Sequence, residues 1–400
     1  MRTDRPYDTG RGTGQNTMDM DWEPHARRLA DTVLRRRESR WWNVLASTPR
    51  HVFVPAWWEH GTSGPVARNG PDDPAAWLKT AYQDTTLITR MGTRHADHTT
   101  PGTLLPSGPW PTSSSTLPTL LVTMYRHAML GPDSHTLVTT GTGYGTALAC
   151  RRLRDPSLVT SIDIDPYLVT AATERLDAIG LHPRTAACDI TTNLPGEFDR
   201  IVSTVSVRPL PASWLHGLRP GGRLVTTIAG TGLLLVADKA DDGTANGYIT
   251  ADQASFMRTR HGDDYDTASP PPSVWDAADG DGDTVTTSRY PLLDVQNTWD
   301  IRSMLELQAP GIEHRFHRST DGPRTAWMAH PDGSWARAAA PDRRTSPLVH
   351  QGGPRRLWDT LETIRDRLNR TGQLPVHGAQ ATITPDGQTT LRRGRWSATL

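Results

Sequence analysis

Short apolar runs alternate with helical patterns between residues 135 and 236. Such alternation is typical of βαβ units and predicts a parallel sheet with helices between its strands. The expected strands are 136–140, 159–163, 185–187, 200–203 and 223–228, with a further strand beginning at 232–236, and the clearest helices are 145–153 and 166–179. The middle third of the chain is therefore expected to form an α/β domain.

The flanking regions carry weaker patterns. Apolar residues at helical spacing predict helices over 22–34, around 41–45 and over 117–129, whereas polar stretches at 61–76 and 92–116 predict loops. Residues 1–20 have too little apolar surface to offset the entropy of ordering and predict a disordered tail. Further on, the composition predicts a linker over 263–288, a strand at 325–329, a helix at 355–369 and a hairpin across 382–388.

Composition narrows the class of protein. The 400 residues include 43 basic and 43 acidic side chains, so no net field draws the chain towards nucleic acid or an anionic membrane. Only Cys150 and Cys188 occur, which excludes a disulfide framework and any CxxC metal or redox motif. Neither a signal peptide nor a membrane span is indicated, so we expect a cytoplasmic protein that binds neither nucleic acid nor membrane.

The first expected strand ends in alternating glycines before a helix. Gly141, Thr142, Gly143, Tyr144 and Gly145 form this run. Glycines are needed where the chain turns tightly while its backbone touches a ligand. The run is therefore a candidate cofactor loop, although a glycine-rich turn alone also occurs in proteins that bind dinucleotides.

Two acids follow the loop at the ends of later strands. Asp163 lies 22 residues after Gly141 and can accept hydrogen bonds from two ribose hydroxyls, with Ile164 next to it. Asp189, followed by Ile190, can accept from an adenine amino group. Either acid alone could simply be a solvent-exposed side chain at the end of a strand. Both acids in this order favour a nucleoside-binding site.

The whole order of motifs resembles class I methyltransferases, since segments 198–202 (FDRIV) and 218–224 (LRPGGRL) complete it. The resemblance implies a Rossmann-like, doubly wound α/β sheet and S-adenosyl-L-methionine as cofactor. It assigns cofactor binding to the glycine run and to the residues around both acids. The chain departs from the family at Thr139, where such enzymes usually carry an acid.

Segments before the sheet resemble protein-L-isoaspartate O-methyltransferases. They are 49–55 (PRHVFVP), 81–84 (AYQD) and 113–118 (SSSTLP). The likeness implies that these segments form the peptide-side wall, and it assigns substrate contacts to Val54, Pro55, Tyr82 and Ser114 and catalytic positions to Ser115 and Thr116. Leu117 replaces the glutamine of the family pattern.

The tail is similar to an extended subgroup of that family, found beside ATP-grasp peptide ligases in the maturation of ribosomally made peptides of the graspetide type. The likeness rests on 333–336, 351–358 and 382–388. It implies methylation of an aspartate in a cyclised precursor peptide, followed by aspartimide formation, with an ATP-grasp ligase acting in the same pathway. Repair of isoaspartate in damaged proteins and a non-catalytic binding module remain alternatives.

Two metal-like patterns carry less weight. The spacing of His95, Asp97 and His98 suits a metal, but a solvated loop is the favoured interpretation. The segment 279–284 imitates a calcium loop yet has Thr284 at the obligatory glycine position. We therefore expect no metal site.

These interpretations divide the chain into four parts. We expect a disordered tail at 1–20, a helical and substrate-binding region at 21–118, a Rossmann-like cofactor domain at 119–236, and a C-terminal α+β extension at 237–400 that includes the linker 263–288 and a helix and hairpin over 355–391.

Overall fold

The computed structural model describes residues 20–34, 36–105, 110–259, 269–318 and 323–400. The chain divides into two units. The first comprises Met1–Thr123, Gly131–Asp133 and Thr140–Ala187, and the second comprises Met124–Leu130, Ser134–Thr139 and Cys188–Leu400. The predicted disordered tail falls almost entirely outside the described residues.

The helices are numbered in chain order. Those of the described residues are α1 (Glu23–Val33), α2 (Arg40–Ala46), α3 (Pro74–Ala81), α4 (Pro118–Ala128), α5 (Tyr144–Leu153), α6 (Pro166–Asp177), α7 (Ala212–Gly217), α8 (Pro272–Ala278), α9 (Trp299–Gln308) and α10 (Leu357–Thr371). Short 3₁₀ helices occupy Arg50–Phe53, Gly70–Asp72, Ala96–His98 and Pro156–Leu158. In the described part of the chain, no helix is both long and apolar enough to span a bilayer.

The strands are numbered in the same way. They are β1 (Ala56–Gly61), β2 (Gly64–Asn69), β3 (Leu87–Met91), β4 (Arg94–His95), β5 (Pro111–Ser115), β6 (Thr136–Thr139), β7 (Val159–Asp163), β8 (Arg184–Ala187), β9 (Phe198–Val207), β10 (Leu218–Ile228), β11 (Leu233–Lys239), β12 (Ala245–Gln253), β13 (Thr284–Thr287), β14 (Glu313–Arg318), β15 (Arg324–Ala329), β16 (Trp335–Ala340), β17 (Leu348–Gly352), β18 (Gln380–Ile383), β19 (Thr389–Arg393) and β20 (Trp396–Thr399).

An antiparallel sheet in the first unit corrects the predicted loops. Its order is β2-β1-β3-β4, and β5 also pairs with β3. Residues 61–76 contain β2 and the start of α3, and residues 92–116 contain β4, a 3₁₀ helix and β5. The loop predictions were wrong because β2 begins with Gly and Pro and β5 consists of Pro, Thr and Ser, residues that do not give the apolar alternation typical of a strand.

The α/β region follows the predicted order of elements. In the first unit β7 pairs with β8 in parallel, and the N–H of Thr140, the residue after β6, donates to the carbonyl of Ile162 on β7 at 2.9 Å. The helices α5 and α6 follow β6 and β7 respectively. This strand–helix alternation confirms the expected Rossmann-like arrangement.

The second unit continues with parallel and then antiparallel strands. β6 and β10 both pair with β9 in parallel, and β11, β12, β18, β19 and β20 follow in antiparallel order. β11 is the further strand expected at 232–236, and β18 and β19 are the predicted hairpin. β11 is buried along most of its length, from Leu233 to Ala237.

A separate five-stranded antiparallel sheet lies within the C-terminal extension, in the order β13-β17-β16-β15-β14. It corrects the linker prediction, because the described part of 263–288 contains α8 and β13. Trp275 on α8 belongs to a buried cluster with Ala329 and Trp335, and this apolar contact explains why an Asp- and Pro-rich stretch is ordered. Of the predicted linker, 263–268 lies outside the described residues.

Candidate active site

The glycine loop (141–145) joins β6 to α5. Gly141 and Gly143 have φ angles of +50° and +91°, which side chains of L-residues rarely adopt. Space is also short, because a Cβ on Gly143 would lie 3.0 Å from the Cβ of Ala172 and 3.3 Å from the ring of Phe53. Both positions therefore require glycine, as the spacing of the run predicts.

Residues within the run and on either side of it hold the loop in place. Thr142 is buried, and Tyr144 and Gly145 are the first residues of α5. The buried hydroxyls of Thr140 and Thr146 both hydrogen-bond the hydroxyl of Ser161 on β7, at 2.7 and 2.8 Å. This hydroxyl network ties both ends of the loop to the neighbouring strand.

Asp163 ends β7 and holds the glycine loop. Its Oδ2 accepts from the N–H of Gly141 at 3.0 Å, and its Oδ1 accepts from the N–H of Asp165 at 3.1 Å, while Ile164 between them is half-buried. A carboxylate offers about four acceptor positions, so it can bind ribose hydroxyls besides backbone donors. The structure thus brings the glycine loop and the expected ribose acid together.

The two residues expected on the adenine side lie in the second unit. Asp189 accepts, at Oδ1, from the N–H of Thr191 at 2.8 Å and from its hydroxyl at 2.6 Å. Ile190 is buried, and its carbonyl accepts from the indole N–H of Trp214 at 2.7 Å. Both residues therefore sit in a turn whose shape is fixed by hydrogen bonds.

Thr139 replaces the acid that the family resemblance leads us to expect. Its hydroxyl accepts from the N–H of Thr204 at 2.8 Å and bonds the Thr204 hydroxyl at 2.7 Å. The position is therefore a neutral link between β6 and β9, and it places no charge at the ends of these strands.

Ser113, Ser114, Ser115 and Thr116 form the serine segment, which comprises the end of β5 and the residue after it. A Cβ built on Gly141 would lie 3.3 Å from the carbonyl oxygen of Ser114, so this segment abuts the glycine loop. Ser115 is 1% exposed, and its hydroxyl has no hydrogen-bond partner among the described residues. A buried hydroxyl without a partner is costly, which makes Ser115 a good candidate to bind a ligand.

Arg50 is fully buried and holds the serine segment in place. Its guanidinium donates to the carbonyls of Ser115 and Thr116 at 3.4 and 3.3 Å. It also donates to the carbonyls of Ala81, Gln83 and Thr85 at 3.0, 2.6 and 2.8 Å. One side chain therefore fixes two backbone segments that the sequence analysis assigned to the substrate wall.

Asp84 makes a second connection between the same segments. Its Oδ1 accepts from the N–H of Thr119 at 2.9 Å, and its Oδ2 accepts from the Thr119 hydroxyl. Nearby, the N–H of Leu117 donates to the hydroxyl of Thr86 at 3.3 Å. The start of α4 is therefore held by the residues that follow α3.

The other predicted substrate residues lie in the core of the first unit. Tyr82 is 8% exposed, and its hydroxyl bonds Nδ1 of His51 at 2.8 Å. Val54 is buried and its carbonyl accepts from the indole of Trp77 at 2.7 Å, while the carbonyl of Pro55 accepts from a backbone N–H. In this arrangement Tyr82 and Val54 pack behind the predicted peptide-side wall, and Ser114 is the residue beside the glycine loop.

A comparison with protein families assigns the region that contains the serine segment, the glycine loop and both acids. Residues 104–256 match the model of the family described as Protein-L-isoaspartate(D-aspartate) O-methyltransferase (PCMT). The match covers less than half of the chain, so the likeness to this family concerns this region. With the glycine loop and Asp163 in place, the protein is an S-adenosylmethionine-dependent O-methyltransferase, similar in this region to the isoaspartyl methyltransferases.

A curated relative supports this assignment. Over 247 residues the methyltransferase is 26% identical to Protein-L-isoaspartate O-methyltransferase 2 of Syntrophobacter fumaroxidans (strain DSM 10017 / MPOB), in an alignment that covers 60% of this chain and 82% of the relative.

Solved structures are more distant. A protein-L-isoaspartate O-methyltransferase aligns with a TM-score of 0.48 and 15% identity, covering 93% of this chain and 98% of its own. A putative enzyme of the same type from Plasmodium falciparum, in complex with S-adenosyl-L-homocysteine, aligns with a TM-score of 0.42 and 14% identity, covering 59% of this chain and 98% of its own. Because both scores are low, the fold assignment rests on the sheet topology and the family match.

The residues of the methyltransferase fit its cofactor. The loop has no side chain at Gly141 or Gly143 to block an approaching ligand, and Asp163 lies at the loop with acceptor oxygens for a ribose. Tyr144, within the same run, is buried, and its hydroxyl has no hydrogen-bond partner among the described residues. Burial raises the pKa of Tyr144 and of Tyr82, so both phenols stay protonated at neutral pH and act as donors rather than bases.

The segment 95–98 differs from its prediction. It was expected to be a solvated loop, but His95 Nε2 contacts Asp165 Oδ2 at 3.1 Å, and the rings of His95 and His98 lie 4.5 and 4.3 Å from the ring of Tyr167. Asp97 accepts from the hydroxyl of Tyr167 at 2.9 Å. Within the described ranges, no three His, Cys, Asp or Glu side chains are grouped to hold a metal ion.

Sequence reasoning missed the residues that support the site. Arg50, His51 and Asp84 lie inside the quoted family segments, but only their neighbours were named as functional. The signal for Arg50 was available, because an arginine in a largely apolar run between two prolines can be buried with that run only if several acceptors pair with its guanidinium.

Proposed function

We propose that this methyltransferase esterifies the side-chain carboxylate of an aspartate in a ribosomally made, side-chain-cyclised peptide, and that the ester then closes to an aspartimide. The observation that carries the proposal is the contact of the serine segment with the glycine loop, through Ser114 and Gly141. A polar strand end beside the cofactor loop suits a small anionic group better than an apolar substrate.

The chemistry of the wall agrees with a carboxylate nucleophile. A carboxylate has a pKa of ~4 and is already ionised at neutral pH, so it needs no general base. The serine segment supplies hydroxyl and backbone donors, and Ser115 has a buried hydroxyl free to donate. S-adenosylmethionine, when bound, supplies an electrophilic methyl group on a positively charged sulfur.

Orientation is therefore the main task of the protein. The residues must hold one carboxylate oxygen in line with the methyl group, at a near-attack distance of ~3 Å, and exclude water. Arg50 contributes by fixing the backbone of Ser115 and Thr116. Thr116 and Ser115 are the residues we propose to contact the carboxylate.

The second step needs no group from the protein. The backbone amide nitrogen after the esterified aspartate attacks the side-chain carbonyl, and a new C–N bond forms in a five-membered ring. Methoxide leaves and takes the amide proton as methanol. The ester makes this step feasible because methoxide is a far better leaving group than the oxide of a free carboxylate.

The tail supports the link to cyclised peptides through its resemblance to the subgroup. Two of its three segments interlock: the N–H of Arg355 donates to the hydroxyl of Ser334 at 2.9 Å, and a Cβ on Gly352 would lie 2.5 Å from the indole nitrogen of Trp335. These motif residues are thus required by the packing of the C-terminal sheet. We propose an ATP-grasp ligase in the same pathway as the source of the cyclised precursor.

The test compares three synthetic peptides: a lactam-cyclised peptide with one free aspartate, its linear counterpart, and a linear isoaspartyl peptide. With enzyme and S-adenosylmethionine, the cyclised peptide should gain the mass of one methyl group and then lose methanol. Reaction of the linear peptide alone would rule out the tailoring role. A Ser115→Ala and Thr116→Val double variant, which retains the same binding of S-adenosylhomocysteine, should lose most of the turnover.

Repair of isoaspartate is the second candidate. The name of the matching family and of the relative from Syntrophobacter fumaroxidans favours it. In that case the isoaspartyl peptide should react at least as fast as the cyclised one. Turnover of the isoaspartyl peptide without any reaction of the cyclised peptide would establish repair and exclude our first proposal.

A further inference from the structure

Trp110, in the first unit, differs from every other tryptophan of the chain. All fourteen tryptophans lie within the described ranges, and the other thirteen are buried or half-buried. Trp110 is 82% exposed, the largest value among the exposed large apolar side chains of the described residues. Tryptophan is enriched where proteins bind partners, because its ring offers a large apolar area. The exposed ring of Trp110 is therefore a candidate binding surface.

The backbone at Trp110 is held firmly although the side chain is exposed. The carbonyl of Trp110 accepts from the N–H of Gly92 at 2.9 Å, and the hydroxyl of Thr112 donates to the carbonyl of Gly92 at 2.6 Å. Pro111, between Trp110 and Thr112, is paired with Met91 at the end of β3. The ring is thus presented from a fixed position, which lowers the entropy cost of binding.

Trp110 adjoins the strand that carries the serine segment. β5 begins at the next residue, Pro111, and ends at Ser115. Near that end, the carbonyl of Ser114 lies 3.3 Å from a Cβ built on Gly141 of the glycine loop. At a rise of ~3.3 Å per residue, the four residues of chain from Trp110 to Ser114 span about 13 Å. The exposed ring and the candidate catalytic residues therefore lie at opposite ends of one strand.

β5 is also an edge strand. Among the described strands, β3 alone pairs with it, and a strand that begins with a proline, which has no N–H, is typical of a sheet edge. An extended peptide can lie along such an edge, from the serine segment to Trp110. Because an extended peptide has the same rise per residue as a strand, the distance from Trp110 to Ser114 or Thr116 corresponds to four to six peptide residues.

We propose that Trp110 is a subsite for an apolar side chain of the peptide substrate, four to six residues from the aspartate that is methylated. This inference rests on the proposed function only in taking the substrate to be a peptide. An indole ring has few rotatable bonds, so it binds an apolar side chain at a low cost in entropy. Pro111 and its partner Met91 are apolar as well, which favours an apolar side chain over a charged one.

The experiment uses lactam-cyclised peptides with one free aspartate and arms of serine, in which a single leucine replaces one serine at two to six residues from the aspartate. Their binding to the full-length enzyme with S-adenosylhomocysteine is measured by calorimetry. A leucine four to six residues away, on one side, should strengthen binding to the wild-type enzyme about tenfold, as burial of one apolar side chain predicts. Trp110→Ala should abolish this gain, and Trp110→Phe should retain part of it.

Tyr248→Ala is the matched control, because Tyr248 is also an exposed aromatic residue, at 43%, and this variant should retain the wild-type preference. A gain that does not depend on the position of the leucine, or an unchanged gain in Trp110→Ala, would overturn the subsite. So would a wild-type dimer that Trp110→Ala converts to a monomer, because a second copy would then cover the ring. Since binding is measured directly, a wild-type enzyme that prefers such a leucine but methylates no peptide would refute the proposed function and leave the subsite standing.

Discussion

Single residues set the shape of the cofactor loop. Gly143 combines a left-handed backbone with a close approach to Ala172 and Phe53, so it is constrained twice. Gly180, after α6, has a similar φ of +71° but no atom within 4 Å of a built Cβ. A comparison of Gly143 with Gly180 therefore separates the cost of backbone strain from the cost of steric crowding.

Gly143→Ala should therefore destabilise the enzyme more than Gly180→Ala. A left-handed backbone costs an alanine roughly 1–2 kcal/mol, and the contact at Gly143 adds to that cost. Urea denaturation gives the free energy of unfolding, and calorimetry gives the dissociation constant for S-adenosylhomocysteine. Gly143→Ala should weaken this binding while Gly180→Ala leaves it unchanged; equal effects of both substitutions would show that crowding at the loop is unimportant.

At the scale of elements, the first unit depends on side chains that hold backbone segments. Arg50 binds carbonyls after α3 and at the end of β5, and the segment at 95–98 packs on α6 next to Asp163. Neither element is part of the glycine motif. Each nevertheless determines where a motif residue lies.

Arg50→Lys tests the first of these elements. An ammonium has three donors and no planar fork, so it cannot serve all five carbonyls that Arg50 binds. Buried acceptors left unsatisfied should lower the free energy of unfolding by about 1–3 kcal/mol. Hydrogen exchange should then increase in the serine segment, whereas Arg37→Lys, at an exposed position on the surface, should change neither measurement.

His95→Gln tests the second of these elements, the segment at 95–98. The His95 ring contacts Asp165, whose N–H donates to Asp163, so its loss should loosen the ribose acid. We expect S-adenosylhomocysteine to bind about tenfold more weakly, the equivalent of ~1.4 kcal/mol. His182→Gln, at an exposed pair with Asp177, is the control. Unchanged affinity in His95→Gln would mean that Asp163 is held without this contact.

The sequence predicted the elements whose pattern is local. The strand and helix periods of 136–236 and the glycine spacing follow from which positions are buried, and the structure agrees with them. The sequence pattern could not predict β2 and β5, because Gly, Pro and Ser form strands only where neighbouring strands pair with them. The roles of Arg50 and Asp84 were hidden for a similar reason: their acceptors and donors lie about 30 or more residues away in the chain.

At the scale of the whole molecule, the C-terminal sheet adds a response to acid. His314 on β14 has both ring nitrogens buried without a hydrogen-bond partner among the described residues. Burial, with a smaller effect from Arg302, lowers the pKa of His314 from 6.5 to about 4. The charge of Asp294 offsets only part of this effect, so protonation of His314 is less favourable in the folded chain than in the unfolded chain.

The sign of the effect follows from the lowered pKa. Between pH 6.5 and about 4 the unfolded chain binds the proton while the folded chain does not, so stability falls as the pH falls through this range. The full effect is about 3 kcal/mol, at ~1.4 kcal/mol for each pH unit. His314→Leu should flatten the dependence of the free energy of unfolding on pH between 7 and 4, whereas His317→Asn, exposed on the same strand, should retain the wild-type slope. An equal slope in His314→Leu and the wild-type enzyme would place the acid-sensitive group elsewhere in the chain.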